Sequence, residues 1–280
     1  ALWKYSVKKS PPYAGGVEGV LKKRQQEWPS PWGIGFPGWH IECSAMSRKY
    51  LGQPFDIHCG GVDHIPVHHE NEIAQSEAAY GVKLANYWLH NEFLTVDGQK
   101  MSKSFANFYT VSDLESRGFD PLALRYLYLG THYRHKQNFT WDALQAAQNA
   151  LMKLRNKLRN WDAPEIGCAD YEARFKSTLA DDLNTPVALS ILWKLADDPN
   201  YPTKSKSTTM LFMDRVLGLA LEKTLGKPIE IPDDIRLFIT QREDARRKKD
   251  WPSADRLRRQ IEKRGWMIED TQTGTKVTQV

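Results

Sequence analysis

Chemical and packing residues occupy different halves of this chain of 280 residues. All eight histidines lie between His40 and His135, while the second half carries Leu, Lys, Arg and Asp at helical spacings. Side chains suited to catalysis or ligation are therefore concentrated in the first half, and the second half is expected to be mainly helical. The length is compatible with one large domain or with two to three smaller ones.

The region after Trp39 predicts part of a parallel α/β sheet, because helices and strands alternate there. The predicted elements are a helix over 39–51, a strand over 55–58 ending at the glycines 60–61, a helix from Pro66 to Tyr80, and a strand over 86–96 leading to the Asp97-Gly98 turn. The Pro- and Gly-rich first 38 residues indicate a loop-rich connector.

Beyond residue 138 the pattern predicts a helical bundle over about 139–228. Thr140 is a suitable N-cap, and an apolar stripe follows it at helical spacings. The stripe consists of Leu144, Leu151, Leu154, Leu158 and Trp161. A linker rich in Pro and Gly then leads to a small basic domain of helices and a short strand or two over 233–280.

Composition predicts a globular protein of a reducing compartment. The sequence has no run of eighteen apolar residues and no secretory signal at its start. Cys43, Cys59 and Cys168 are too few and too scattered for a disulfide framework. We therefore expect a cytoplasmic location and no membrane partner. The net charge of +5 fits a polyanionic partner without establishing one.

A zinc site is predicted from three residues of the first half. His68 and Glu72 are four apart in a predicted helix, so both side chains emerge on one face, and Cys43 supplies a third donor from the preceding helix. Thiolate, imidazole and carboxylate together suit Zn²⁺ and leave one position open. The alternative from spacing alone is an exposed polar pair beside an inert core thiol.

Seven strings of residues resemble cysteinyl-tRNA synthetases, which are class I aminoacyl-tRNA synthetases. The strings are 37–46 (PGWHIECSAM), 55–58 (FDIH), 68–76 (HHENEIAQS), 100–104 (KMSKS), 120–126 (DPLALRY), 182–186 (DLNTP) and 249–255 (KDWPSAD). They occur in the family's order with matching separations and extend over essentially the whole chain.

The resemblance implies a fold class and a division of the chain. The fold would be α/β, the second half of a Rossmann-like class I catalytic domain, followed by an α-helical bundle and a small C-terminal α+β anticodon-side domain. The implied segments are a connector remnant (1–38), the catalytic half with the zinc site and KMSKS loop (39–107), a stem-contact region (108–138), a tRNA-binding helical bundle (139–228) and a basic anticodon-side domain (233–280).

The resemblance also implies the substrate site. Cys43, His68 and Glu72 match three of the family's four ligands for one Zn²⁺ per chain, which binds the substrate thiol. Trp39, His58 and Asp63 would contact the amino acid. A core aromatic and a solvated loop acid are the alternatives for Trp39 and Asp63.

By the same resemblance, the signature loop would bind ATP, which is accompanied by Mg²⁺. Its residues are Lys100, Met101, Ser102, Lys103 and Ser104. Lys100 and Lys103 would be catalytic, because their charges stabilise the negative charge that develops on the phosphates. A solvated surface pair is the alternative for the two lysines.

The tail between Arg242 and Arg264 contains ten Lys or Arg residues. The resemblance makes it the anticodon-side tRNA surface, and a solvated amphipathic helix is the alternative. The candidate tRNA contacts are Arg246, Arg247, Lys248, Lys249, Trp251 and Arg258.

Two family features are not found in the sequence: the phosphate-contacting HIGH-type motif and the fourth zinc ligand, a cysteine. We therefore expect a C-terminal portion that is incomplete by itself, with a separate N-terminal half as a further candidate partner. Cys59 stands where the family has glycine and is either a substitute ligand or a buried spectator thiol.

The function expected from the resemblance is that of a cysteine–tRNA ligase. It would activate L-cysteine with ATP to cysteinyl-adenylate and transfer it to tRNA-Cys, as a monomer. A mycothiol-pathway cysteine ligase and a non-catalytic tRNA-binding remnant are the alternatives, the former disfavoured because those relatives lack much of the region 139–280.

Overall fold

The computed structural model of the chain describes residues 2–5, 26–105, 107–271 and 274–279. Two units are distinguished, Ala1–Phe93 and Leu94–Val280. The predicted fold class is confirmed, since α/β elements are followed by a helical bundle and then by a small α+β tail. Within the described ranges no helix is both long and apolar enough to cross a bilayer.

The first unit contains a parallel strand pair connected by a helix. Its elements are β1 (Trp3–Tyr5), β2 (Gly35–Pro37), α1 (Ile41–Leu51), β3 (Phe55–Gly61), α2 (Glu70–Tyr80) and β4 (Ala85–Asn91). Strands β3 and β4 are parallel, with His58 opposite Trp88 and Gly60 opposite His90. Phe55, Leu84 and Ala85 form a small buried core under the pair.

The helix predicted from Pro66 to Tyr80 begins with a π-helical turn, and its regular α-helical part starts at Glu70. Val62–His64 forms a 3-10 turn, and Ile65–His69 forms a π-helical turn that leads directly into α2. Turns of this kind are frequent at functional sites because they change which side chains share a face. Here the turn places the imidazoles of both His68 and His69 close to the Glu72 carboxylate.

The single strand predicted over 86–96 is two strands in the structure. β4 ends at Asn91, and β5 (Leu94–Val96) belongs to the second unit, separated by Glu92 and Phe93. Local side-chain bonds explain the break: the Glu92 carboxylate accepts from the backbone N–H of Phe93, and the Asn91 amide donates to the Glu92 carbonyl. Such bonds compete with ladder hydrogen bonds.

The second unit begins with a three-stranded sheet in the order β6-β5-β7. Its first elements are β5, β6 (Gln99–Lys100), α3 (Val111–Ser116), α4 (Pro121–Leu129) and β7 (Gln137–Phe139). Asp97 and Gly98 turn the β5–β6 hairpin with φ values of 50° and 74°. Positive φ at both positions is the conformation that Asp-Gly favours in a two-residue hairpin loop.

The helical bundle is built on the predicted apolar stripe. It comprises α5 (Trp141–Leu158), α6 (Ala169–Ala180), α7 (Thr185–Asp197) and α8 (Thr203–Leu217). Thr140 caps α5 by accepting from the N–H of Ala143 at 3.0 Å. All five stripe residues are buried. The four leucines lie in α5 as the periodicity predicts, whereas Trp161 follows the end of that helix at Leu158.

The tail folds as two helices and a hairpin around its own core. Its elements are α9 (Asp233–Arg247), α10 (Trp251–Glu262), β8 (Trp266–Thr271) and β9 (Gly274–Gln279). The core consists of Ile235, Ile261, Trp266 and Ile268. Arg242 is buried and donates two hydrogen bonds to Asp270, at 3.0 and 2.9 Å.

Candidate metal centre and signature loop

Glu72 lies at the centre of the candidate site in the first unit. Helix α2 carries its carboxylate into the interior, where it is 0% exposed. Its Oε2 lies 2.8 Å from His58 Nε2, while Oε1 finds no hydrogen-bond partner among the described residues. A buried carboxylate oxygen without a partner is costly, and a bound cation would remove that cost. The surroundings of Glu72 therefore suit a metal ion.

Cys43, His68 and Glu72 come together as the sequence predicted. Their donor atoms all lie within 4.8 Å of one another, and His68 Nε2 is 3.7 Å from Glu72 Oε2. Each comes from a different element: α1, the π-helical turn and α2. Cysteine, histidine and glutamate form a donor set that fits zinc.

The protonation of the two other donors follows from their burial. Burial raises the pKa of the Cys43 thiol, and the nearby Glu72 and Glu42 charges raise it further. Burial also lowers the pKa of His68, which favours the neutral imidazole that ligates metals. The thiol is thus protonated in the metal-free chain, whereas a coordinated cation favours the thiolate.

A second group of donors shares Glu72 and was not predicted from the sequence. His58, His69 and Glu72 also have donor atoms within 4.8 Å of one another. His69 is 3% exposed, and its pKa is lowered to about 4, first by burial and then by the neighbouring His58. Its Nδ1 lies 2.7 Å from His90 Nε2.

Six of the eight histidines gather in this unit around Glu72 and Trp88. They are His40, His58, His64, His68, His69 and His90. The crowding of histidines into the first half of the sequence was a signal for this cluster. The fold was needed to find which of them meet.

Gly60 permits the histidines to approach strand β3. A Cβ atom at this position would lie 2.6 Å from the His69 ring and 2.7 Å from the His64 ring. Distances of this size are prohibitive, so only glycine leaves room for both rings. The preceding residue, Cys59, is exposed and is not one of the donors grouped above, so the alternative of a buried spectator thiol is wrong.

Trp39 and Asp63 are placed on the surface of the first unit. Trp39 is 75% exposed, with the Lys4 ammonium 5.2 Å from the centre of its ring, and Asp63 is also exposed. The Gln75 amide donates to the Trp39 carbonyl at 3.1 Å and fixes that backbone. Contact of Trp39, His58 and Asp63 with the amino acid stays a prediction.

The signature loop lies in the second unit and is held by a residue that sequence reasoning missed. The Asn107 side chain accepts from the Ser102 N–H at 2.8 Å and donates to the Lys100 carbonyl at 3.1 Å. Met101 packs against the core that contains Val96 and Leu114.

The structure describes the side chains of Lys100, Ser102 and Ser104 in the loop. The Ser102 and Ser104 hydroxyls are 2.9 Å apart, and Lys100 is exposed. The side chain of Lys103 lies outside the part of the chain that the structure describes. The ATP-binding and catalytic roles of this loop stay predictions.

The candidate tRNA contacts divide into three arginines that form ion pairs and three residues for which no ion pair is seen among the described residues. Arg246 pairs with Asp270, Arg247 with Asp244, and Arg258 with Glu262. By contrast, Lys248, Lys249 and Trp251 are exposed around the turn between α9 and α10. These three residues, named here the α9–α10 turn, are the better candidates for phosphate and base contacts.

Comparison with known proteins relates both units to one family. Residues 19–149 match the family model of the class I (C) tRNA synthetase catalytic domain, and residues 230–277 match that of the cysteinyl-tRNA ligase anticodon binding domain. Cysteine–tRNA ligase 1 of Burkholderia lata is 49% identical over 278 residues, which cover 99% of this chain and 56% of that protein. The chain belongs to the cysteinyl-tRNA synthetase family.

The chain spans about half the length of the curated cysteinyl-tRNA synthetases it matches. The cysteine–tRNA ligase of Opitutus terrae is 44% identical over 254 residues, covering 89% of this chain and 54% of the relative. Among solved structures, the LeuRS–tRNA–LeuAMS complex of Agrobacterium radiobacter K84 is similar, with 16% identity and a TM-score of 0.49 over 70% of this chain and 33% of the other.

Proposed function

We propose that the chain supplies the cysteine-selecting part of a cysteine–tRNA ligase. In that reaction the carboxylate of L-cysteine attacks the α-phosphate of ATP, giving cysteinyl-adenylate and pyrophosphate. A ribose hydroxyl of tRNA-Cys then takes the cysteinyl group, and AMP leaves. The observation that carries the proposal is the buried Glu72 with an unpartnered oxygen beside Cys43 and His68.

Cys43, His68 and Glu72 would hold one zinc ion. When bound, the ion supplies a soft Lewis acid that prefers a thiol sulfur to a hydroxyl oxygen. A site of this kind rejects the wrong substrate by roughly ten-thousandfold when a buried partner is left unsatisfied. His58 supports the arrangement by holding Glu72 Oε2 at 2.8 Å, while Trp39 and Asp63 are the proposed contacts to the rest of the amino acid.

ATP would bind at the signature loop, together with Mg²⁺. Lys100 and Lys103 would stabilise charge on the α-phosphate and on the leaving pyrophosphate. Asn107 supports this role because it holds the loop backbone at both Lys100 and Ser102.

The acceptor would be tRNA, contacted by the exposed basic residues of the tail. The match of residues 230–277 to an anticodon binding domain favours tRNA over the aminosugar of the mycothiol alternative. We further propose a cytoplasmic location and a monomeric state. A separate polypeptide carrying the HIGH-type motif is a candidate partner.

Cysteine-dependent exchange between ATP and pyrophosphate tests the proposal. The chain is assayed alone and with the family's N-terminal half added, and zinc content is determined on the same samples. We expect zinc in the chain and exchange in at least one condition, with both lost in Glu72→Gln. Glu70→Gln, an exposed carboxylate on the same helix, is the matched control. Absence of zinc and of exchange in both conditions would refute the enzymatic role.

A further inference from the structure

The imidazoles of His40 and His68 are joined by a hydrogen bond between their Nδ1 atoms, 2.7 Å apart. The rings are nearly perpendicular, at 88°, with centroids 4.5 Å apart. We propose that His40 is a positioning residue that holds His68 with its Nε2 directed at the metal position. The inference rests on the zinc site proposed above, and it concerns a residue outside the ligand set.

The bond determines which nitrogen of His68 can bind a metal. A neutral imidazole ligates through its unprotonated nitrogen, and its other nitrogen carries the proton. Nε2 of His68 is the atom that faces Glu72, at 3.7 Å. Nδ1 of His68 must therefore carry the proton and donate the hydrogen bond to His40. His40 Nδ1 is then the acceptor. A hydrogen bond of this kind fixes both the tautomer and the ring orientation of a metal-binding histidine.

The backbone of His40 indicates that this contact is maintained at a cost. His40 has φ 74° and ψ −21°, a left-handed conformation that is unfavourable for a residue with a Cβ. It occupies the N-cap of α1, where a side chain normally accepts from the helix backbone, yet it makes no such bond. Its imidazole forms a hydrogen bond with His68 instead. Strained residues of this kind cluster at functional sites.

Neighbouring contacts hold the strained residue in place. The Ser44 N–H donates to the His40 carbonyl at 3.1 Å, and the Ser44 hydroxyl donates to Gln75 Oε1 at 3.0 Å. Gln75 in turn donates to the Trp39 carbonyl at 3.1 Å. Helix α2, which carries Glu72, is thereby connected to the start of α1. The two helices that supply metal ligands, α1 and α2, are therefore both hydrogen-bonded to the backbone segment that carries His40.

His64 provides a matched comparison within the same cluster. Its ring stacks on that of His68, with centroids 4.9 Å apart and an angle of 29° between the planes. Within the described contacts the two rings share no hydrogen bond. A substitution at His64 therefore changes the packing around His68 while leaving the Nδ1 bond in place.

The experiment measures zinc affinity of the full chain by competition with a chromophoric chelator. The His40→Gly variant removes the acceptor and suits a left-handed backbone. The His40→Asn variant retains an acceptor close to the position of Nδ1 and tolerates the same backbone. We expect zinc binding to weaken about 10- to 100-fold in His40→Gly and to stay close to the unaltered value in His40→Asn and His64→Asn.

A second readout is the visible absorption of the Co²⁺-loaded chain, which reports the coordination geometry. It should change in His40→Gly and be retained in His40→Asn. If the unaltered chain binds no zinc, the proposed zinc function fails. If it binds zinc and His40→Gly binds equally tightly, with an unchanged cobalt spectrum, the positioning role is overturned while the zinc site stands. Equal weakening in His64→Asn would also overturn it, because packing alone would explain the loss.

Discussion

His58 Nε2 lies 2.8 Å from Glu72 Oε2, while Oε1 of the same carboxylate has no hydrogen-bond partner among the described residues. The histidine comes from β3 and the glutamate from α2. The contact therefore fastens the helix to the sheet at the candidate metal centre.

Removal of the His58 side chain should destabilise the metal-free chain. In His58→Ala the buried Glu72 carboxylate loses the hydrogen bond to His58 Nε2. We expect this loss to cost about 1–3 kcal/mol in the free energy of unfolding. His58→Gln keeps a donor near the position of Nε2 and should lose less. Urea unfolding of the three proteins, with and without Zn²⁺, measures the difference. Equal stability of His58→Ala and the unaltered chain would contradict the role of this bond.

Substitution of Asn107 should loosen the signature loop. Asn107→Ala removes both bonds that fix the loop backbone, whereas Asn107→Asp retains the acceptor for the Ser102 N–H and loses only the donor to the Lys100 carbonyl. Hydrogen exchange at the Ser102 amide should be faster in Asn107→Ala and nearly unchanged in Asn107→Asp. Unchanged exchange in both variants would mean that Asn107 does not restrain the loop.

Asp182 should make stability depend on pH in the acid range. Hydrogen bonds from Arg134 and Tyr133 lower the pKa of this carboxyl from 3.8 to about 2. Because the pKa is lower in the folded chain, the stabilisation is fully present above about pH 4 and is lost as the pH falls through about 2. In Asp182→Asn this part of the pH dependence disappears.

The measurement for Asp182 is urea unfolding at a series of pH values. Asn tolerates the left-handed backbone found at this position, where φ is 53°, so the substitution tests the charge rather than the conformation. The stability difference between the two proteins should narrow as the pH falls from 4 towards 2. A difference that stays constant over this range would show that the Asp182 charge contributes nothing.

In the proposed tRNA complex, the α9–α10 turn should carry more of the salt-dependent binding than the paired arginines do. Exposed Lys248 and Lys249 are free to contact phosphates, whereas Arg247 is already paired with Asp244. Neutralising each lysine (Lys248→Gln, Lys249→Asn) should lower affinity and reduce the log–log salt slope by about 0.7–0.9. Arg247→Gln is the control with a smaller expected change. Titrations of tRNA-Cys at several salt concentrations measure both quantities.

Features governed by short-range periodicity could be predicted from the sequence. The buried stripe from Leu144 to Leu158 follows the helical repeat, and Thr140 caps its helix with the expected bond. The Asp97-Gly98 hairpin was recognised for the same reason, because its two residues specify the turn by themselves. Only local preferences are needed in these cases.

Features that depend on contacts between distant residues could not be predicted in the same way. The i, i+4 spacing placed His68 and Glu72 on one face, but the π-helical turn that also brings His69 to Glu72 has no periodic signature in the sequence. The contact between His58 and Glu72 requires β3 to pack under α2. Nor does any local pattern identify His40 as the neighbour of His68, 28 positions along the chain.

The parallel pairing of β3 with β4 also bears on when the site can form as the chain folds. Helix α2 can develop from local interactions, but the pairing joins His58 to Trp88 and Gly60 to His90 across a long intervening segment. Closing such a loop costs chain entropy before the contacts between the strands can compensate for that cost. Pairings of this type therefore form late. A chain that has acquired only its helices therefore holds dispersed histidines, and His58 and His90 come together with His69 only after the strands have found their register.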